Sequence, residues 1–497
     1  MSANKTDGRQ SIALKPSLLF QMGRTIPVPF QIAATAEDKQ EKTSFNCTDI
    51  LRLLPQRRIV CKTDYQNEPA VVKIFFQPDK AQRDYLDELQ GHERLLKSML
   101  LTPEVLSYGR LEGDDSSHKG WYVLYAYIDT AFSLQDGVAL KPDIQSGLYL
   151  KQVLELIAKM HNAHVQQIDL HLNNFLIDRQ HNKIYTIDCG DVSDLNTAHA
   201  QLSTQIHKNL ADILSQMPII YDQFTNEFVE LYQQHLELDI TISKERIHRS
   251  MQQWRYWRIR KFLKKASRNC TEFRYVKTWT LMKAFHRDYS SSLWLSLYAR
   301  LNERVEHSRR LKDGNTATVA LTECAERKVV IKRYNIKSFR HLLSRFWRPS
   351  RAWKTWQNAH QLGVLGIKTP KPIAVVEQRF GWFRSRAFYV SEYEPAADAL
   401  SELAQLETLS NACVEDFEQL FCAMIFSRMS HGDLKANNIL MTGQGLTLID
   451  LDAMTFHKQS ASFKRAFSRD LKRFMKNWSV DSKVYSQFEE LISRLPL

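Results

Sequence analysis

The stretch "SHGDLKANNILMTGQGLTLIDLD" (430–452) sets Asp433, Asn438 and Asp450 within one short span, and "QQIDLHLNNFLIDRQHNKIYTIDCGD" (166–191) repeats the arrangement with Asp169, Asn174 and Asp188. The first two pairs lie 264 positions apart and the third 262. The correspondence extends outward on both sides. "PAVVKIFF" (69–76) parallels "KVVIKRYN" (328–335), which matches Lys73 with Lys332, and "KNLADILSQM" (208–217) parallels "RDLKRFMKNW" (469–478). Solenoid repeats run about 20–50 residues. A period near 260 instead means a duplicated domain, and 497 residues are enough for two cores.

Each copy begins with short apolar, β-branched and aromatic runs that predict strands: "RIVCK", "AVVKIFF" and "WYVLYAYI" in the first, "TATVALTE", "KVVIKRY" and "AFYVSEYE" in the second. A helical stretch interrupts them at 81–100 and at about 351–365. Longer helical segments, "YLKQVLELIAKMHNAH" and "VEDFEQLFCAMIFSRMS", then lead directly into the repeated motif. The fold class expected is α+β, with two tandem domains, each a small β-rich lobe followed by a larger helical lobe. The expected division is an N-terminal extension over 1–43, polar, proline-containing and partly loose; a first domain over 44–240; a basic inter-domain segment over 241–310; and a second domain over 311–497. Within that segment "RYWRIRKFLKKASRN" (255–269) reads as helical and "CTEFRYVKTWTLMKAFHRD" as strand-like.

In both motifs an apolar strand-like run follows the Asn, then a turn ("DRQHNK", "TGQG"), then a second short strand ending in the last Asp. A hairpin of this kind brings the Asn and the distal Asp together. Two hard oxygen donors side by side suit Mg²⁺, which takes few carboxylates and leaves room for phosphate oxygens. The first Asp, on the loop before the hairpin, is placed to act on a substrate hydroxyl. The upstream strand Lys supplies a point charge for nucleotide phosphates. These are the parts of a phosphoryl-transfer site of the protein-kinase type.

"SHGDLKANNIL…TLIDLD" resembles the catalytic and metal loops of the kinase-like superfamily. "MHNAHVQQIDLHLNNFLIDRQHNKIYTIDCGD", "RAWKTWQNAHQLGVLGIKTPKPIAVVE" and "RIRKFLKKASRNCTEF" are similar to the bacterial lipopolysaccharide core kinases, the Kdo/heptose kinase family, in a tandem form running from about residue 45 to the end. The resemblance implies an ATP- and Mg²⁺-dependent kinase acting on sugar hydroxyls of the lipopolysaccharide core. Asp433 and Asp169 would orient the hydroxyl and accept its proton. Asn438 with Asp450, and Asn174 with Asp188, would hold Mg²⁺. Lys332 and Lys73 would bind ATP phosphates, Glu93 would pair with Lys73 from the helix, and Lys435 would contact the γ-phosphate where the first copy has His171.

The copies depart from the pattern in different places. Neither has a glycine-rich G-x-G-x-x-G loop, which leaves phosphate cover to other donors such as Arg57 or Arg58. The second has no acidic residue between 335 and 376 to pair with Lys332, and the first replaces the His-Gly before its catalytic Asp with Gln167–Ile168. The last motif is D-C-G in the first and D-L-D in the second, where Asp452 is read as a structural group, with an extra metal or phosphate-positioning ligand as the alternative.

Charge is unevenly divided. Residues 1–240 hold 23 Lys and Arg against 31 Asp and Glu, a balance of −8, while the remainder balances at +21. The basic stretch 255–268, with Trp254, Trp257 and Phe262, fits an anionic membrane surface. No nucleic-acid-binding module is recognisable, so nucleic acid is not an expected partner. Seven scattered Cys without a C-x-x-C pair fit a reducing compartment. With neither a signal peptide nor a membrane-spanning run in view, a cytoplasmic protein peripheral at the inner membrane is expected. A protein kinase, a soluble small-molecule kinase and a non-catalytic tandem pseudokinase scaffold remain open alternatives at this point.

Overall fold

The computed structural model describes residues 11–38, 40–113, 118–139, 142–314, 316–335, 349–381 and 383–497. It is a mixed α/β structure of two compact units. One comprises Met1–Gln216 with Thr225–Ser250, the other Met217–Phe224 with Met251–Leu497.

The first unit is built on an eight-stranded sheet in the order Ile12–Leu14, Phe30–Ala36, Val105–Leu111, Trp121–Ala126, Glu68–Phe75, Arg58–Tyr65 and Asp49–Leu54, with Lys42–Cys47 also paired to Phe30–Ala36. Alternating side chains of these strands (Phe30, Ile32, Phe45, Ile59, Val72, Ile74, Tyr122, Leu124) form one core cluster. Burial of such apolar area is the main favourable term holding the sheet. The extension expected to be loose is therefore structured over its described residues. Phe30–Ala36 alternates buried with less buried positions, as a strand with one face on a core must.

Helix Ala81–Lys97 buries Ala81, Asp84, Tyr85, Glu88, Gly91, His92 and Leu95, a stripe at helical spacing. Helix Ile144–Asn162 starts at Asp143, whose carboxylate accepts from Ser146 N at 2.6 Å. It leads into the hairpin Phe175–Asp178/Lys183–Thr186, paired Phe175 to Thr186.

The second unit repeats this order. Its seven-stranded sheet runs Phe273–Lys277, Leu281–His286, Pro372–Phe380, Phe383–Glu392, Arg327–Tyr334, Ala317–Cys324 and Arg309–Asp313. Residues 273–286, expected within an inter-domain segment, are thus two strands of the second sheet, and Phe273 and Phe285 are fully buried. Helix Arg351–Leu365 is capped by Ser350, which accepts from Trp353 N at 3.1 Å. Helix Asn411–Phe426 precedes the hairpin Ile439–Thr442/Gly445–Leu448, paired Ile439 to Leu448. Helices Ser460–Met475 and Lys483–Ser493 pack on it through Phe417, Phe421, Phe467, Phe474 and Phe488. Helix Lys244–Lys265 confirms the helical reading of the basic stretch.

Candidate active site

The two hairpins make corresponding bonds. Asn174 Nδ2 donates to Asp169 O at 3.0 Å, and Asn438 Nδ2 donates to Asp433 O at 2.8 Å. The Asn carbonyls then accept from Ile187 N at 2.8 Å and from Ile449 N at 3.0 Å. Each motif Asn therefore ties the loop bearing the first Asp to the residue just before the last one. Asp188 and Asp450 both lie in the left-handed region, with φ of 61°. Asp is among the few residues with a side chain that enter this region readily, at a cost of about 1–2 kcal/mol. The same turn is thus held twice to aim a carboxylate.

The replacement of His-Gly by Gln-Ile proves chemically close at its first position. His431 Nε2 bonds Ile449 O at 2.9 Å. Gln167 Nε2 donates to Ile187 O at 2.8 Å and to Asp188 O at 3.1 Å. Both side chains thus hold the turn before the last Asp. The second position differs. Gly432 has a φ of +80°, and a Cβ there would lie 2.7 Å from Ala453 O. Gly432 N donates to Asp470 Oδ2 at 3.0 Å, whereas Ile168 N donates to Asp191 O at 2.8 Å.

In the first unit Lys73 is buried and reaches Glu88 Oε2 at 2.7 Å and Asp188 Oδ1 at 2.6 Å. Glu88 also accepts from Tyr125 Oη at 2.9 Å and from Gly190 N at 2.9 Å. The expectation for Glu93 is corrected here. Glu93 is on the solvent side of the helix, paired with Lys97 at 2.7 Å, and it does not meet Lys73. The five residues from 88 to 93 turn a helix by about 140°, enough to carry a side chain off the buried face. Asp188 Oδ2 is further held by Arg52 at 2.9 Å and Arg58 at 3.4 Å. Burial opposes the Asp188 charge, but Lys73, Arg58 and Arg52 overcome it and hold the carboxyl well below the usual range. Arg57 points elsewhere, to Asp84 at 2.9 Å. Asp169 is exposed and lies 3.4 Å from His171 Nε2.

In the second unit Lys332 pairs with Asp450. No helix acid joins them; the helix instead contributes Arg351, whose Nε donates to Asp452 Oδ2 at 2.6 Å. Burial works against the Asp450 charge, yet Lys332 foremost, and Lys312 more weakly, pull its pKa down to about 2. Asp452 is shifted the other way, by burial and by the neighbouring Asp450. Asp433 Oδ1 accepts from Arg473 at 3.0 Å and lies 3.2 Å from Lys435 Nζ. Arg473 also donates to Gly432 O at 2.7 Å, so it fixes both the loop and its carboxylate.

Four residues of these sites were not anticipated: Glu88, Arg52, Arg351 and Arg473. The buried stripe of helix 81–97 contains position 88 and omits 93, so helical phase alone distinguishes them. Asp450, Asp452 and Asn438 offer hard oxygens on one short loop and hairpin, which fits Mg²⁺ with phosphate filling the remaining positions. Among the described residues no group of three or more His, Cys, Asp or Glu side chains is clustered around a metal position.

Residues 299–493 match the model of the lipopolysaccharide kinase (Kdo/WaaP) family. A curated relative, the 3-deoxy-D-manno-octulosonic acid kinase of Vibrio cholerae serotype O1, is 26% identical over 144 residues, 27% of this chain, and the chain spans 61% of that relative's length. A solved structure, WaaP in complex with acyl carrier protein, aligns at 18% identity with a TM-score of 0.31, covering 44% of this chain and 88% of that one. Residues 299–493, which contain the Lys332, Asp433, Asn438 and Asp450 site, are the part of the chain that is similar to the lipopolysaccharide kinase (Kdo/WaaP) family.

Proposed function

We propose that the protein is an ATP- and Mg²⁺-dependent kinase of two kinase-like units that phosphorylates a sugar hydroxyl, of heptose or Kdo, in the lipopolysaccharide core. The observation that carries this reading is the joining of three distant segments in the second unit. Lys332 from the sheet meets Asp450 from the hairpin, and Asn438 ties that hairpin to the Asp433 loop.

In this reading Asp433 accepts a hydrogen bond from the acceptor hydroxyl and takes its proton as the phosphoryl group transfers. Arg473 keeps the Asp433 carboxylate aimed at that position. Lys332 and Lys435 bind phosphate oxygens, and Asn438 with Asp450 would hold the metal. Bound Mg²⁺ would supply charge neutralisation for the nucleotide phosphates. The rate enhancement comes from positioning and electrostatic stabilisation, without a covalent enzyme intermediate. In the first unit Asp169, Asn174, Asp188 and Lys73 stand in the matching places.

A glycolipid acceptor at the cytoplasmic face of the inner membrane is supported by the basic helix. Tyr256 and Trp257 are about half exposed there, and Lys261 Nζ lies 4.4 Å from the Trp257 ring centre. Arg255 is excluded from such a surface, because it is buried against Asp222. No described helix is long and apolar enough to cross a membrane.

The test is phosphoryl transfer from labelled ATP by the full chain to core oligosaccharide, with the modified sugar located by mass spectrometry. Asp433→Ala is expected to lower the rate by about 10³ or more. Undiminished transfer by that variant, or no core phosphorylation by the wild type, overturns the reading.

A further inference from the structure

Strand register allows the two phosphate-facing surfaces to be compared position by position. Arg52 pairs with Val60, which pairs with Lys73; Lys312 pairs with Val319, which pairs with Lys332. Each edge strand carries a register shift just before its cation, between Ile50 and Arg52 and between Arg310 and Lys312. Arg52 and Lys312 are therefore counterparts. By the same ladders Arg58 faces Phe75 and Ala317 faces Tyr334, two residues beyond each Lys, so Arg58 stands where the second unit has Ala317. On the loop, Gly190 and Asp452 both follow the last motif Asp by two residues. Relative to the second unit, the first has gained a guanidinium on the sheet, and its second loop carboxylate stands one residue later, at Asp191 where the second unit has Ala453.

That exchange is built in. A Cβ on Gly190 would lie 3.0 Å from Glu88 Oε2, so Glu88 crowds the position that Asp452 fills in the second unit. Glu88 is itself spent on Lys73, Tyr125 and Gly190 N. Both Asp188 oxygens are already engaged, Oδ1 by Lys73 and Oδ2 by Arg52 and Arg58. A divalent cation seated on Asp188 would face three cations held by that one carboxylate, where like charges repel strongly, whereas in the second unit Lys332 bonds Asp450 and Arg351 bonds Asp452. Arg58 Nε, in contrast, is a buried donor with no hydrogen-bond partner. Leaving a buried donor unmet is costly, and an incoming anionic oxygen removes that cost.

We propose that the first unit takes up a nucleoside polyphosphate without a divalent metal, on Arg52, Arg58 and Lys73, with Asp188 serving as counter-ion to these cations rather than as a metal ligand. Metal-dependent chemistry is then confined to the second unit. The inference rests on reading both units as nucleotide sites.

The test uses the full chain. Titration with MnCl₂ in the presence of a non-hydrolysable ATP analogue, followed by electron paramagnetic resonance, is expected to give one bound Mn²⁺ per chain. Asp450→Asn removes that ion and Asp188→Asn retains it. In EDTA, a fluorescent ATP derivative is expected to bind at one site per chain. Arg58→Ala weakens that binding at least tenfold, Arg58→Lys recovers part of it, and thermal melts of both variants confirm that they are folded. A second Mn²⁺ that disappears in Asp188→Asn, absence of metal-free binding, or metal-free binding indifferent to Arg58→Ala each overturns the proposal. A chain that phosphorylates core sugar yet binds two Mn²⁺ sinks this inference and leaves the proposed function standing.

Discussion

In the first unit the helix beside the sheet brings an acid, Glu88, to the strand lysine, and in the second it brings a base, Arg351, to the loop carboxylate Asp452. Arg52, Arg58 and Lys73 face Glu88 and Asp188; Lys312, Lys332 and Arg351 gather around Asp450 and Asp452. The backbone turns, the Asn ties and the left-handed Asp are the same in both. The comparison teaches that a duplicated scaffold preserves geometry while its charges move between helix, sheet and loop.

The largest effect expected is on turnover. Asp450→Asn should lower kcat by about 10³ or more, roughly 4 kcal/mol of transition-state stabilisation. Asp188→Asn should cost at least a hundred-fold less. Equal losses in steady-state transfer assays would break the asymmetry. Next comes stability of the first unit. Glu88→Ala leaves Lys73 buried with one acid fewer and should destabilise by about 3–5 kcal/mol in denaturant unfolding. Glu93→Ala removes an exposed pair and should leave the unfolding midpoint essentially unchanged. If the two variants unfold alike, the assignment of Glu88 as the partner of Lys73 is wrong.

A third expectation makes the units alike rather than different. His161 is buried against Tyr232 and Asn209, and His360 is buried beside His286; burial lowers their pKa values to about 4 and about 3. Because the folded chain binds fewer protons than the unfolded one below pH 6.5, stability falls as pH drops from there toward those values. By pH 5 each His should cost about 2 kcal/mol, read as lowered unfolding midpoints for both units. A midpoint unchanged between pH 7 and 5 would sink this. The smallest effect is a swap. His431→Gln installs the residue the first unit uses for the same backbone bond, so it should cost about 1 kcal/mol or less, whereas His431→Ala should cost more.

The order of strands, helices and hairpins was legible because each is encoded within a few residues, and the repeat supplied a second copy of the pattern. Lys73, Lys332 and the three motif residues of each copy stand on those local patterns. Glu88 was missed because its selection depends on which helix face packs on the sheet, and Glu93 is the acid a motif spacing suggests first. The strand Phe30–Ala36 hid behind polar, proline-bearing flanks, although "FQIAATA" alternates with period two. Arg52, Arg351 and Arg473 are joined to their carboxylates across 136, 101 and 40 residues, a separation no local pattern carries. That Gln167 and His431 do the same work is a matter of donor position, invisible in residue type.

Gly432 has a consequence for how the two copies can change over time. Its positive φ, the closeness of Ala453 O and the bond to Asp470 close that position to every residue with a side chain. Ile168, with its side chain 63% exposed, meets no such restriction. The loop of the second unit is mutationally rigid just before its key acid, and that of the first can drift. Directly before its acid, then, the first unit tolerates exchange of the side chain and the second does not.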